Sequence, residues 1–413
     1  MKSLELVLLA ASMMTLVAAC ARPAPDPGGM DDGAGSAASS AVTFQEDVDF
    51  LRQHGEVELL KGDGGARVAI SPTYQGRVMT SGVAPGGRSF GWVNRSFIEA
   101  GERGTPFDNF GGEDRFWLGP EGGQYGLYFA PGSDFNLDNW QVPPAINEGA
   151  WDVKEQTDES ITFERSMEVS NYQGRTFELD VRRTVEMLGE ADVREHFGIA
   201  PTQSVDWVGF ESINEVTNAG SQSWSREGGR PSIWVLGQFE SFQGAARIVV
   251  PYDEGGGGTI VNADYFQDLD ESRLVADEGL IVYKADGKYR SKIGVGPARA
   301  QERFGSYNPE ARTLTLIQYD KPADASEYVN SVWAQQGEPY GGDVINAYND
   351  GPTDAGGSSF YELESSSPAL DLAPGESYMH PHRTLHLVGP PEALSYLMEE
   401  AIGVSADEVQ RAL

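Results

Sequence analysis

A chain of 413 residues with a formal net charge of −33 repels nucleic acid and anionic lipid head groups, and argues against a polyanionic substrate. One cysteine excludes an intramolecular disulfide, so stability must come from an apolar core, to which 16 Tyr, 18 Phe and 8 Trp contribute. A surface this acidic suits a neutral ligand.

Residues 1–20 read as a lipoprotein signal peptide. Lys2 supplies a short positive start, an apolar run extends from Leu6 to Val17, and small residues lead into Cys20. The run is too short to span a bilayer as a permanent helix. Small residues before a cysteine resemble the lipobox read by lipoprotein-processing enzymes, which implies cleavage before Cys20 and a lipid on its sulfur. The alternative is an ordinary signal peptide with a stray cysteine; Glu5 is the one residue out of keeping with the pattern. The expected location is the cell envelope, lipid-anchored at the outer membrane or a periplasm-facing membrane. Residues 21–42 are rich in Pro, Gly, Ala and Ser. They lack the apolar side chains that would offset ordering entropy, so a disordered tether is expected.

Residues 43–390 are expected to form one large β-sandwich domain, followed by a helical segment over 391–413. Thr43 to Glu46 has capping-box form, and Phe44, Val48 and Leu51 share a helical face. Short alternating segments then follow, among them 67–71, 160–167, 177–185, 245–250, 280–283 and 312–319. Period-two alternation with β-branched and aromatic residues predicts half-buried strands. Strands without interleaved helices indicate an all-β antiparallel sandwich. Helices are expected only at the ends, with Pro391 opening one and Ser405 to Glu408 capping another. No internal apolar run is long enough for a transmembrane helix.

Four segments stand out. In 109–129, two Gly pairs flank Arg115, Trp117, Glu121 and Tyr125. Glycine permits close backbone approach, flat rings stack on the C–H faces of a sugar, and charged groups fix its hydroxyls. The competing reading is a structural loop with Trp117 in the core and Arg115 paired to Glu113, Asp114 or Glu121. Residues 211–220 form a strand entering an Asn218-Ala219-Gly220 turn, and Trp234 lies on a later aromatic strand. In 360–378, a strand places Glu362 and Glu364 on one face and Tyr361 and Leu363 on the other, with a turn at Pro374-Gly375. Two such carboxylates either bring a general base to a cleft or sit solvated on an outer face. Last, His380, His382, Thr384 and His386 share a strand face, the first two histidines about 7 Å apart. Two such histidines can ligate a metal, but the further ligands of a tetrahedral site cannot be placed. A general acid, a sugar hydrogen bonder or ordinary strand residues are the better readings. Pro381 interrupts this run. No cofactor is expected. The acidic stretch Asp264–Glu271 offers carboxylates to calcium but lacks EF-hand spacing.

Taken in order, these segments resemble the galactose mutarotase-like (aldose 1-epimerase-like) superfamily over residues 55–390. Glu215-Val-Thr-Asn218-Ala-Gly220 is similar to its strand ending in a Thr-Asn-x-Gly turn. Glu364 to Glu376 is similar to its late glutamate, Ser-Pro, apolar pair and Pro-Gly-Glu turn. Gly111 to Glu121 resembles a segment of uncharacterised bacterial lipoprotein branches. The resemblance implies a large antiparallel sandwich that binds carbohydrate on a concave face. It also implies a glutamate base and a histidine acid that open and reclose a sugar ring at the anomeric carbon. Glu364 matches the base. The family's histidine follows the Thr-Asn-x-Gly turn, but Ser221 to Phe239 contains none, and His196 precedes the turn. His382 and His386 are therefore the candidate acids, in a different geometry. Arg77, Arg115, Trp117, Glu121, Tyr125 and Trp234 are the candidate substrate-binding residues. The expected partners are a carbohydrate and, through Cys20, a membrane. Turnover of the sugar, as epimerase, lyase or glycosidase, and mere capture of it both stay open, as does a structural envelope role with a vestigial pocket.

Overall fold

The computed structural model describes residues 41–104, 106–266, 268–351 and 360–413. The signal peptide, Cys20 and residues 21–40 of the tether fall outside them. Residues 41–413 form one compact unit. Strands β1 (Glu58–Lys61), β2 (Arg67–Ser71) and β3 (Arg77–Gly82) make a small antiparallel sheet. A five-stranded sheet combines β4 (Arg115–Gly119), β9 (Ser232–Glu240), β13 (Ser291–Val295), β16 (Ile345–Asn349) and β17 (Phe360–Ser366). Its order is β13-β16-β17-β9-β4. The ten-stranded sheet takes β5 (Asp152–Gln156), β6 (Ser160–Ser170), β7 (Thr176–Met187) and β8 (Asp206–Asn218) at one side. The other side holds β10 (Ala246–Pro251), β11 (Leu274–Asp277), β12 (Leu280–Ala285), β14 (Arg303–Asn308) and β15 (Thr313–Tyr319). Strand β18 (Ser377–Val388) joins the halves between β15 and β8. All strand pairs are antiparallel, so the fold is the all-β sandwich the alternation predicts.

Alternation decides what each face buries. On the five-stranded sheet, Ile293, Val295, Ile345, Ala347, Tyr361 and Leu363 meet Ile248, Val250, Ile281, Tyr283, Phe304 and Ile317 of the larger sheet in one core. Each fully buried aliphatic or Phe side chain of this kind contributes about 1.5–3 kcal/mol. The larger sheet turns Leu314, Leu316, Leu385 and Leu387 to its other face. Helices α4 (Glu190–Phe197), α5 (Pro391–Ile402) and α6 (Ala406–Ala412) cover that row with Val193, Phe197, Leu394, Leu397, Met398 and Val409.

The terminal capping boxes form as read. Thr43 and Glu46 bond reciprocally at α1 (Phe44–Leu51), and Ser405 and Glu408 do so at α6. Helices are not confined to the ends, however. Besides α4, α2 (Arg95–Ala100) and α3 (Pro144–Asn147) lie inside the sandwich sequence. They have six and four residues, too short for a readable helical period. Pro381 does not break β18. Pairing with β15 begins at His382, so Pro381 sits where β18 has β8 as its only neighbour. No described helix is long and apolar enough to cross a membrane.

Candidate functional site

The face of β17 opposite the core carries Glu362 and Glu364. Neighbouring strands bring Lys292, Trp234 and Arg115 to the same side, because Lys292 is in register with Tyr348 and Glu362, and Arg115 with Leu236 and Glu364. Glu364 is fully buried. Its Oε2 accepts from Trp234 Nε1 at 2.9 Å and from Lys292 Nζ at 2.9 Å. Its Oε1 is enclosed and, among the described residues, without a hydrogen-bond partner. Beside it, Arg115 donates to Glu362 at 2.5 Å. Burial works against the Lys292 ammonium, but Glu364, Glu121 and Glu362 together outweigh it and hold its pKa above the usual lysine value. Burial drives the Glu362 carboxyl the other way, to about 7, with Arg115 opposing and the Glu364 charge assisting.

Aromatic rings wall this cluster. Trp117 meets Trp234 edge-on at 5.6 Å between centroids, Phe107 edges on both Trp117 and Trp140, and Tyr128 stacks with Trp140, which stacks with Trp333. Trp117 and Trp234 are only 4% and 5% exposed, so they shape the wall and present little ring face. Trp140 and Trp333 are half-buried. Glu121, near these indoles, is also half-buried. Burial raises the Glu121 pKa; Lys292 and the Trp140 and Trp333 indoles oppose, and Glu364 assists. No described residue forms a salt bridge with Glu121. The loop that carries it is pinned, with Ser331 Oγ accepting from Glu121 N at 3.1 Å and Gln124 donating to the Gln336 carbonyl at 2.9 Å. A Cβ at Gly122 would stand 2.7 Å from the Val332 carbonyl, so only glycine lets the two loops close this tightly. At another edge, Tyr265 donates to Asp343 at 2.5 Å, and Lys292 sits 5.6 Å from its ring centroid.

The structure therefore brings Glu364, Arg115, Trp117, Trp234 and Glu121 together. It adds Lys292, Glu362, Trp140, Trp333 and Tyr265. Alternation signalled Glu362, while Lys292 reads as one polar position in the strand 291–295. The indoles come from loops distant in sequence, and nothing local announces them.

His382 and His386 lie elsewhere. β17 turns Ser365 toward the larger sheet, where its Oγ meets His380 Nε2 at 2.9 Å and His382 Nδ1 at 2.8 Å. His386 contacts Thr315 at 2.9 Å and Glu113 at 3.1 Å. All three rings are buried between the sheets, on the opposite side of β17 from Glu364. Burial lowers the His380 pKa to about 3 and that of His382 to about 4, so both are neutral. Next to them, fully buried Arg183 bonds Asp114 and Asn214, and Ser212 donates to Asp114 at 2.7 Å. This network joins the sheets through polar contacts. Arg77 is buried beside it, donating to the Gly111 carbonyl and to Gln75. Tyr125 stacks with Tyr340, 5.8 Å away, beside Arg230. Neither joins the Glu364 cluster. Among the described residues, no group of three or more His, Cys, Asp or Glu is arranged to hold a metal ion.

A buried carboxylate held by two donors on one oxygen, with the other oxygen unpaired, is arranged to accept a proton. A carboxyl raised by burial is arranged to give one. Half-buried indoles beside them offer flat apolar faces to a ring-shaped polar molecule.

No curated protein matches the sequence. Similar solved structures include a galactose mutarotase related enzyme from Lactobacillus acidophilus, at 11% identity and a TM-score of 0.45, covering 80% of this chain and 97% of that one. Another is a galactose mutarotase-like protein from Lactobacillus casei, at 11% identity and a TM-score of 0.46, covering 80% of this chain and 100% of that one. A family model described as a family of unknown function covers residues 42–413, and the chain belongs to that family, DUF6786.

Proposed function

We propose that the recess over the five-stranded sheet binds neutral carbohydrate, and that Glu364 acts there as the base in epimerase-like chemistry at the anomeric carbon. The observation that carries this reading is the unpaired Oε1 of a fully buried carboxylate in a cluster walled by aromatic rings. A sugar stacked on Trp140 and Trp333 would present its hydroxyls to Glu364, Glu121 and Lys292. The unusually acidic chain supports a neutral ligand over an anionic one.

Polarimetry of freshly dissolved α-D-glucose and α-D-galactose tests it. The purified protein is expected to speed mutarotation, and Glu364→Gln to remove the acceleration. An unchanged Glu364→Gln rate would refute the role of Glu364. The second reading is a glycan-binding protein without turnover, favoured by one observation: no histidine shares the recess with Glu364. It predicts binding with no acceleration in the wild type.

We further infer that Cys20 carries the lipid that tethers the domain to an envelope membrane. The lipobox-like residues Val17 to Ala19 support this. Cys20→Ala is expected to move the protein to the soluble fraction, and its retention with membranes would refute the anchor.

A further inference from the structure

We propose that Glu121, not a histidine, is the proton donor that works opposite Glu364. This rests on the carbohydrate reading above and supplies the acid which that reading lacks. The sandwich places His380, His382 and His386 behind β17, where no ligand over the outer face can reach them. The acids within the recess can then be sorted by what already holds them. Lys292 is 2.9 Å from Glu364, and losing its proton would leave three carboxylates facing one another. Glu362 is committed to Arg115 at 2.5 Å. The Tyr265 hydroxyl proton is committed to Asp343 at 2.5 Å. Glu121 is half-buried, and among the described residues its side chain has neither a salt bridge nor a hydrogen bond of the kind that commits Lys292, Glu362 and Tyr265; it is faced by Lys292, Glu364 and Tyr128. Its burial favours the protonated acid. The indoles of Trp140 and Trp333 favour the carboxylate left after donation.

The step balances without a co-reactant. Glu364 takes the proton of the anomeric hydroxyl, the C1–O5 bond breaks with its electron pair going to O5, and Glu121 gives O5 its proton. After rotation about C1–C2, Glu121 removes the O5 proton, O5 re-adds to C1, and Glu364 returns a proton to O1. Both carboxyl groups end as they began.

Steady-state mutarotation of α-D-galactose and α-D-glucose against pH, on the purified full chain, tests the assignment. The wild type is expected to give a bell, its acidic limb from the base and its alkaline limb from the acid. Glu121→Gln should lower kcat by about 10²–10⁴-fold, leave KM within about 3-fold and erase the alkaline limb. Trp333→Phe removes an indole that lowers the Glu121 pKa and should move the alkaline limb to higher pH. A Glu121→Gln enzyme that keeps the bell and kcat while KM rises makes Glu121 a binding residue and overturns the proposal. If Glu364→Gln is inactive in that same experiment, the carbohydrate reading survives. Wild-type protein without turnover overturns both. Matching thermal unfolding midpoints for Glu121→Gln, with Glu121→Asp as a second variant, separate loss of the acid from loss of the fold.

Discussion

Replacing Lys292 by Met keeps the length of an apolar stem and removes the ammonium that neutralises Glu364. Glu364 is fully buried, and among the described residues Lys292 is its only cationic hydrogen-bond partner, at 2.9 Å. Removing one member of a buried pair typically costs about 3–5 kcal/mol. The carboxylate has one escape, which is to bind a proton. At pH 7 that costs about 4 kcal/mol for a group whose unfolded pKa is about 4.3, at 1.36 kcal/mol per unit. At pH 5 it costs about 1 kcal/mol. The folded variant would then hold a proton that the unfolded chain releases, so its stability falls as pH rises above the unfolded value. Lys292→Met is therefore expected to lose about 4 kcal/mol relative to wild type at pH 7 but only about 1 kcal/mol at pH 5. Urea unfolding followed by tryptophan fluorescence at the two pH values measures this. Equal losses at both, or a loss below about 1 kcal/mol at pH 7, would refute the reasoning.

Other outcomes follow from the same geometry. Glu362 is raised to about 7 from an ordinary value near 4.5, so it withdraws about 3 kcal/mol of stability as pH climbs between them; Glu362→Gln should flatten that part of the stability–pH curve. His382 has the opposite sign. Held neutral down to about pH 4, it withdraws about 3 kcal/mol as pH falls from 6.5, and His382→Gln should make acid unfolding shallower without altering mutarotation. Trp234→Phe removes one of the two donors to Glu364 and should cost about 1.5–3 kcal/mol at neutral pH, read from denaturant midpoints.

Much of the architecture was legible in the residues. The reciprocal caps at Thr43 and Ser405 need only a side chain three positions away, so they can be read locally. The two-residue period put Glu362 and Glu364 on one face and Tyr361 with Leu363 on the other, and the structure keeps that division. Period alone says which residues share a face but not which face meets the second sheet. That is why His380, His382 and His386, correctly grouped, proved to be interior. Their histidine character suggested an open site, while Ser365, Thr315 and Glu113 satisfy them within the core. Arg77 fails for a similar reason, since its guanidinium is consumed by the Gly111 carbonyl and Gln75. Lys292, Trp140 and Trp333 reach Glu364 or Glu121 only through strand order and loop closure, which no local pattern encodes.

The central claim is that this recess recognises a neutral sugar. A glycan array probed with the purified protein and with a Trp140→Ala, Trp333→Ala double variant tests it most directly. Wild-type protein is expected to bind at least one neutral glycan, and the double variant to lose that binding while still unfolding in one cooperative transition, at a lower midpoint because both rings are packed. Binding that survives in the double variant, or a wild type that retains only charged glycans, would contradict it.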